Sequence, residues 1–271
     1  MPSHKRSNAQ GIGNDWNSIP GHDMGEESSA TRISSVEEFK AQMQRAAAFR
    51  ASHQRPFITV SYAQSIDGSI ASRKREPIAL SGPKSLVLTH QIRASCDCIL
   101  IGIGTVLADN PHLSVRWIEG PNPQPIVLDT RLRIPLTSRL VQRRDLSPWI
   151  INGQDYSNEN AQALKKAGAT PLHCPTRHDG KIDLAALMGR LAEMKINSIM
   201  VEGGARVITS FVNSRLVDQF IITITPKLVG GLQVLNSEGL EAATWLDLKQ
   251  IHYQFLDNDI IMWARPGWEV K

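Results

Sequence analysis

The sequence predicts an α/β fold in which a mostly parallel central sheet carries helices on both faces and ends in an antiparallel edge. Short apolar runs rich in β-branched residues recur along the chain, as is typical of buried strands. Segments with helical periodicity lie between them, and this alternation favours a parallel sheet with crossover helices. Near the C terminus, residues 252–264 form two strand-like runs around Asn258-Asp259, which predicts a hairpin.

The individual elements follow from these patterns. The first strand combines Ile58 and Val60 with alternating polar residues, and a continuous apolar run, Cys98–Ile101, ends at Gly102. A helix is predicted to stop at Gly168, since glycine favours helix ends. The predicted strands are residues 57–62, 98–101, 125–128, 149–152, 171–174, 198–201 and 219–225. The predicted helices are residues 81–95, 158–167, 184–195 and 205–215.

The chain divides into three regions. Residues 1–34 are rich in Ser, Gly, Asn, Asp and Glu, which predicts a disordered polar tail. Residues 35–54 are predicted to form an amphipathic helix that begins with a capping box at Ser35 and Glu38. Its apolar side comprises Val36, Phe39, Met43 and Ala47. Residues 55–271 are predicted to form the main domain.

Composition excludes several classes of partner. Among 271 residues, 41% are hydrophobic and 21% are charged, which is ordinary for a globular protein. The net charge of +4 is spread along the chain, so we expect no nucleic-acid partner. We expect no membrane association either, because no apolar run reaches the roughly 20 residues of a membrane span.

The three cysteines, Cys96, Cys98 and Cys174, form neither a disulfide framework nor a CxxC motif. We therefore expect buried thiols, no metal site and a reducing compartment, the cytoplasm. The polar N terminus lacks the apolar core of a secretory signal.

The strongest local signal is a predicted strand followed by Glu202-Gly203-Gly204-Ala205 and a predicted helix. Glycines at such a turn let main-chain N–H groups approach an anion, and the helix N terminus adds positive potential. A tight turn that requires positive φ is the alternative interpretation. Glu202 beside an anion site is unusual unless it binds a polar part of the ligand.

Two further signals also follow predicted strands. Gly104 and Thr105 could approach a nucleotide, while Asp109 either binds a ligand or forms a turn before Asn110. Asp67-Gly68 is first of all a turn, although it could also line a cleft at the carboxyl end of the sheet.

Several chemistries lack their motifs. The sequence contains no GxGxxG fingerprint, GxSxG elbow, P-loop or HExxH helix, and no HxE paired with PCxxC. An ordinary Rossmann dehydrogenase, a serine hydrolase, a P-loop NTPase and zinc hydrolases of these types are therefore excluded.

Taken in order, seven motifs resemble the reductase domain of bifunctional riboflavin-biosynthesis proteins, whose fold is similar to that of dihydrofolate reductase. The motifs are Ser65-Ile66-Asp67-Gly68, Leu80-Ser81-Gly82-Pro83, Ile92-Arg93-Ala94, GTVLADNP from Gly104, Val127-Leu128-Asp129, Val201-Glu202-Gly203-Gly204 and the segment from Pro226 to Gly231. The resemblance covers residues 55–265. It implies a homodimer that uses NADPH to reduce the ribosyl group of 5-amino-6-(5-phosphoribosylamino)uracil to ribityl.

The resemblance also implies which residues form the site. The implied NADPH contacts are Ala63, Thr105, Asp109, Thr130, Gly203, Gly204, Ala205, Arg206, Val207 and Ser210. The implied substrate contacts are Arg93, Leu113, Arg116 and Glu202. The two arginines suit a 5′-phosphate. Asp67 and Glu202 are the implied residues at the site of hydride transfer.

The sequence departs from the family pattern at two places beside the expected substrate pocket. Ser69 follows the Asp-Gly pair where the family commonly has Lys or Arg, and Pro77–Ala79 replace a polar segment with a Trp. We also expect no deaminase domain upstream. Two alternatives therefore stay open, namely an NADPH reductase of another pterin, pyrimidine or carbonyl compound, and a non-catalytic nucleotide-binding module.

Overall fold

The computed structural model describes residues 35–74, 76–154, 156–235 and 246–268, so the predicted tail at residues 1–34 lies outside the described residues. The described helices are α1 (Val36–Gln44), α2 (Ala46–His53), α3 (Pro83–Ser95), α4 (Ile103–Asp109), α5 (Asn158–Lys166), α6 (Leu184–Glu193) and α7 (Ala205–Asn213). The described strands are β1 (Phe57–Ser65), β2 (Ser69–Ala71), β3 (Cys98–Gly102), β4 (Gln124–Leu128), β5 (Trp149–Asn152), β6 (Thr170–His173), β7 (Ser198–Val201), β8 (Gln219–Thr225), β9 (Leu232–Gln233), β10 (Leu248–Leu256) and β11 (Asp259–Pro266).

Nine of the described strands form one sheet in the order β10-β11-β8-β1-β7-β3-β4-β5-β6. The run from β8 to β6 is parallel, and β11 joins β8 in antiparallel register. The central position of β1 is set by pairing with β7 on one side and β8 on the other. The predicted fold class, a mostly parallel sheet with an antiparallel edge, is confirmed.

Side chains on alternate strand positions enter different cores, because successive residues of a strand point to opposite faces. One face packs against α6 and α7 through Ile58, Val60, Leu100, Ile126, Val201 and Ile222. The other face packs against α4 and α5 through Ile99, Ile101, Val127 and Ile150. Further along that face, α1 and α3 cover Met200, Ile221, Ile261 and Trp263. Helices therefore cover both faces, as the periodicity predicts.

The predicted N-terminal helix is two helices that meet at Arg45. Its predicted cap is present, since the Ser35 hydroxyl accepts a hydrogen bond from the Glu38 N–H at 3.3 Å. Phe39 is fully buried against Trp263, with the ring centroids 6.3 Å apart. The break shifts the buried position from the expected Ala47 to Ala46.

Other differences arise from contacts that are distant in sequence. The α3 helix begins at Pro83 instead of Ser81, and the buried Asp259 carboxylate accepts hydrogen bonds from the Gly82 N–H and the Ser85 hydroxyl at 2.7 Å. The hairpin turn lies one residue earlier than expected, because Leu256 pairs with Asp259. Neither α4 nor the small β2–β9 sheet was predicted.

The parallel strands bring their carboxyl ends to one edge of the sheet, where ligands bind in open α/β folds. At that edge, residues 66–68 follow β1, residues 202–204 follow β7, α4 follows β3 and residues 129–131 follow β4. Within the described residues, every helix is too short or too polar to cross a bilayer.

Phe39→Ala should lower the free energy of unfolding by about 3–5 kcal/mol, because it removes a fully buried ring from the core beneath α1 and α3. Gln44→Ala, an exposed change on the same helix, should alter it by less than about 0.5 kcal/mol. Urea denaturation followed by circular dichroism measures both. Equal, small effects would show that α1 is not part of the domain core.

Candidate cofactor and substrate site

The turn at residues 201–204 is shaped by the close approach of α7. A Cβ atom on Gly203 would lie 2.6 Å from Cβ of Val207, and one on Gly102 would lie 2.7 Å from Val207 Cγ2. Neither Gly203 nor Gly204 has a positive φ, so the alternative of a turn that needs positive φ is wrong. Glycine is required at residue 203 by helix packing instead.

Gly204 differs from Gly203 because a side chain there would have room. A Cβ atom there would meet only the Thr105 hydroxyl, at 3.4 Å. The Gly204 N–H donates to that hydroxyl at 3.2 Å, which joins α4 to the start of α7. Because no side chain among the described residues caps α7, its first main-chain N–H groups remain available. An uncapped helix start beside a glycine can hold a phosphate group of a nucleotide.

The remaining predicted cofactor residues differ in their exposure to solvent. Ala63 is half-buried in β1, and Asp109 is exposed at the end of α4. The Thr130 carbonyl accepts the Gly153 N–H at 3.0 Å, which ties the ends of β4 and β5 together.

Along α7 itself, Ala205 is buried in the first turn and Arg206 is exposed. The Val207 side chain packs inward, so only its main chain could meet a ligand. The Ser210 hydroxyl donates to the Arg206 carbonyl at 2.8 Å. The first turn, and not the whole helix, therefore offers free donors.

On the other side of the turn, Glu202 forms a bidentate ion pair with Arg93 of α3. Arg93 Nε lies 2.7 Å from Oε1, and Nη2 lies 2.5 Å from Oε2. The two side chains are 15% and 12% exposed, so the pair is largely removed from water. Such a pair fixes the carboxylate rigidly, while removal of one partner would leave a buried charge.

The loop after α4 supplies the other predicted substrate residues. Leu113 has φ +53°, a strained value for this residue type, and its side chain is buried, so only its main chain can face a ligand. Arg93 Nη1 donates to the Ser114 carbonyl at 3.2 Å, and Arg116 Nη1 donates to the Ser114 hydroxyl at 3.2 Å. Arg93, Glu202 and Arg116 are thus brought together around this loop.

Positive charge accumulates at the same place. Partial desolvation and the charges of Arg93 and Arg139 lower the pKa of Arg116, and burial with the charges of Arg139 and Arg116 lowers that of His112. In the described part of the chain, neither Arg116 nor Arg139 has a carboxylate partner. A phosphate dianion is the kind of ligand that this surplus suits.

Asp67, an implied residue at the site of hydride transfer, is held by four hydrogen bonds. Oδ1 accepts hydrogen bonds from the Ser65 hydroxyl and the Val229 N–H, and Oδ2 accepts them from the Ser69 hydroxyl and the Gly230 N–H. These bonds, that of Ser65 first, hold the pKa of Asp67 well below its usual range. The carboxylate therefore joins two loops and does not donate a proton at neutral pH.

The two departures from the family pattern lie beside Asp67 and its hydrogen-bond partners. Ser69 is 1% exposed, and its hydroxyl also accepts the Gly231 N–H at 2.8 Å, so it cannot reach a ligand as a longer side chain could. Lys227 Nζ donates to the carbonyls of Ala79 and Leu80 at 2.5 and 2.9 Å. The end of the altered Pro77–Ala79 segment is thus held by hydrogen bonds from Lys227.

The sequence patterns did not predict the contacts of three residues. Ser69 binds Gly231, Lys227 binds the Ala79 carbonyl and His90 binds Arg116. Their partners are distant along the chain, so no local pattern indicates them. No group of three or more His, Cys, Asp or Glu side chains within the described ranges is arranged to hold a metal ion.

Gly203→Ala should mainly lower stability, whereas Gly204→Ala should mainly lower NADPH affinity. The first forces a methyl group against Val207 and should lower the free energy of unfolding by about 1–3 kcal/mol. The second has room for the methyl group, so the free energy of unfolding should fall by only about 0.5–1 kcal/mol, because alanine is a poorer N-cap residue than glycine. NADPH affinity should fall, because the methyl group would occupy the space beside the first N–H groups of α7. Urea denaturation and NADPH fluorescence titration measure the two effects. An unchanged NADPH Kd in Gly204→Ala would remove the turn from the cofactor site.

Comparisons with known proteins identify the family. Residues 56–262 match the RibD C-terminal domain family. A Debaryomyces hansenii protein named 2,5-diamino-6-ribosylamino-4(3H)-pyrimidinone 5′-phosphate reductase is 36% identical over 209 residues, which are 70% of this chain and 85% of the relative. The riboflavin biosynthesis protein RibD of Actinobacillus pleuropneumoniae is 32% identical over 77% of this chain. The match spans only 56% of that relative's length.

Solved structures give the same answer for the fold. The riboflavin biosynthesis reductase Rib7 of Saccharomyces cerevisiae is 28% identical with a TM-score of 0.64, over 82% of this chain and all of that one. Acinetobacter baumannii RibD superposes with a TM-score of 0.72 at 24% identity, over 84% of this chain and 62% of that chain. The chain belongs to the RibD C-terminal domain family.

Proposed function

We propose that this protein uses NADPH to reduce the ribosyl group of a phosphorylated ribosylamino-pyrimidine to a ribityl group in riboflavin biosynthesis. One observation carries the proposal. Glu202 pairs with Arg93 on the proposed substrate side of the turn. The next residue, Gly203, packs against the first turn of α7, whose free N–H donors lie on the proposed cofactor side. A dinucleotide and a phosphorylated sugar bound there would meet at the turn.

Two substrates share this chemistry. The family resemblance favours 5-amino-6-(5-phosphoribosylamino)uracil. The Debaryomyces hansenii relative, of which this chain spans 85%, is named for 2,5-diamino-6-ribosylamino-4(3H)-pyrimidinone 5′-phosphate. The two differ on the pyrimidine ring, and the phosphoribosyl part that would meet Arg116 is common to both.

On the cofactor side, the chain supplies binding and position. The N–H groups of Ala205 and Arg206 at the start of α7 would take the pyrophosphate, Gly204 would leave room for it, and Thr105 would hold that turn against α4. Thr130, at the end of β4, lies where the resemblance expects the adenosine 2′-phosphate, and the exposed Arg131 beside it would add a charge-assisted hydrogen bond. When bound, NADPH supplies the hydride for ribose C1′.

On the substrate side, the ion pair orients Glu202 before a ligand arrives. Both carboxylate oxygens are fixed by Arg93, and their remaining lone pairs can accept hydrogen bonds from sugar hydroxyls. Arg116 and Arg139 would neutralise the 5′-phosphate. Asp67, which is ionised and accepts hydrogen bonds at both oxygens, would be a positioning residue that holds the loop at Val229 and Gly230 beside the site.

Activity is tested by NADPH oxidation at 340 nm with each of the two pyrimidines. Arg116→Ala should raise the substrate KM about 10- to 100-fold with little change in NADPH affinity, because it removes a charge-assisted hydrogen bond. Arg116 is the better probe than Arg93, since its loss strands no buried carboxylate. Arg144→Ala, an exposed change without a role in the site, is the control.

NADPH binding without turnover of either pyrimidine would contradict the proposal. Turnover of another carbonyl compound would then favour a reductase of different specificity. Binding without any turnover would favour a nucleotide-binding module.

We also propose that the protein is a homodimer, as the resemblance implies. The strand β10 forms the sheet edge and exposes Ile251, Tyr253 and Phe255 at alternate positions, with exposures of 42%, 53% and 71%. Such an edge favours pairing with a second copy. Phe255→Asp should shift the protein from dimer to monomer in sedimentation velocity, whereas Lys165→Asp on α5 should not. A wild-type monomer at micromolar concentration would contradict it.

A cytoplasmic location is part of the same proposal. All three cysteines are free and buried, which suits a reducing compartment. Burial raises the pKa of the Cys174 thiol to about 11, so it remains protonated and unreactive.

A further inference from the structure

His90 is a buried side chain on the substrate side that the site described so far does not use. It is 2% exposed and lies one helical turn before Arg93 on α3, so both side chains leave the helix on one face. Its Nδ1 accepts a hydrogen bond from the main-chain N–H of Arg116 at 3.0 Å.

That hydrogen bond defines the protonation state of the imidazole. A main-chain N–H can only donate, so Nδ1 must offer its lone pair and the ring proton must sit on Nε2. Burial, together with the positive charges of Arg93 and Arg116, lowers the pKa of His90 to about 4. The opposing charge of Glu202 does not reverse this shift. The ring is therefore neutral at neutral pH and keeps its acceptor.

The loop that carries Arg116 is held at the preceding residues by other hydrogen bonds. Arg143 donates to the His112 carbonyl, Arg93 donates to the Ser114 carbonyl, and the Val115 N–H donates to the side chain of Asn122. The hydrogen bond to His90 is donated by the main chain of Arg116 itself. The indole of Trp117 lies beside the imidazole, with ring centroids 6.4 Å apart.

We propose that His90 is a positioning residue whose neutral imidazole fixes the main chain at Arg116, so that the Arg116 guanidinium faces the anion site beside Arg93 and Glu202. The inference deepens the proposed function and rests on its substrate carrying a phosphate. His90 contacts no substrate in this arrangement. It sets phosphate affinity through the geometry of the loop.

The test compares His90→Leu with His90→Asn. Leucine fills the space but leaves the Arg116 N–H unpaired, whereas the asparagine Oδ1 can stand in for Nδ1 as an acceptor. His90→Leu should raise the substrate KM about tenfold with unchanged kcat and NADPH Kd, and His90→Asn should recover most of that loss. In an Arg116→Ala background, His90→Leu should have little further effect on KM, because the two act through one contact.

A second measurement is independent of turnover. Calorimetry with ribose 5-phosphate and with ribose should show phosphate-dependent binding that weakens about tenfold in His90→Leu. If neither pyrimidine is reduced but this weakening is found, the reaction proposal fails and the role of His90 stands. Three results would overturn the role of His90. The first is an unchanged Kd for ribose 5-phosphate in His90→Leu, and the second is an absence of phosphate-dependent binding in the wild type. The third is additive effects of His90→Leu and Arg116→Ala on KM. A parallel fall in kcat, NADPH affinity and Tm, not rescued by His90→Asn, would overturn it too.

Discussion

The contact of Val207 with Gly102 and Gly203 is the constraint from which the site follows. Because these two glycines lack side chains, the first turn of α7 lies directly against the ends of β3 and β7. This approach brings the Gly204 N–H to the Thr105 hydroxyl and leaves the helix start open. A side chain at either glycine would push α7 away from the ends of β3 and β7.

The same turn divides the site electrostatically. On one side, the helix start presents main-chain donors with partial positive charge, which suit a pyrophosphate without an ionised side chain. On the other side, a carboxylate and two arginines, Glu202 with Arg93 and Arg116, form a cluster of side chains whose net charge is positive. Two anionic groups can therefore bind near each other without sharing counter-charges.

The sequence was most informative where local patterns decide the structure. The strands β5, β7 and β8 begin and end at the predicted residues, because continuous apolar runs mark buried parallel strands. It was least informative where a long-range partner decides. Asp259 binds the N–H of Gly82 at the start of α3, and Gly203 is required by the packing of α7 instead of by a positive φ. Ser69 and His90 acquire their roles from residues 162 and 26 positions away.

We propose that the start of α7 holds the cofactor while the adjoining Glu202 faces the substrate. A crystal structure of the NADPH complex tests it most directly. Pyrophosphate oxygens should lie about 2.9 Å from the main-chain N–H groups of Ala205 and Arg206, because the Gly204 N–H is already bonded to Thr105. The nicotinamide should lie near the Glu202 carboxylate. A pyrophosphate bound away from this turn, with the first N–H groups of α7 facing only water, would contradict the account.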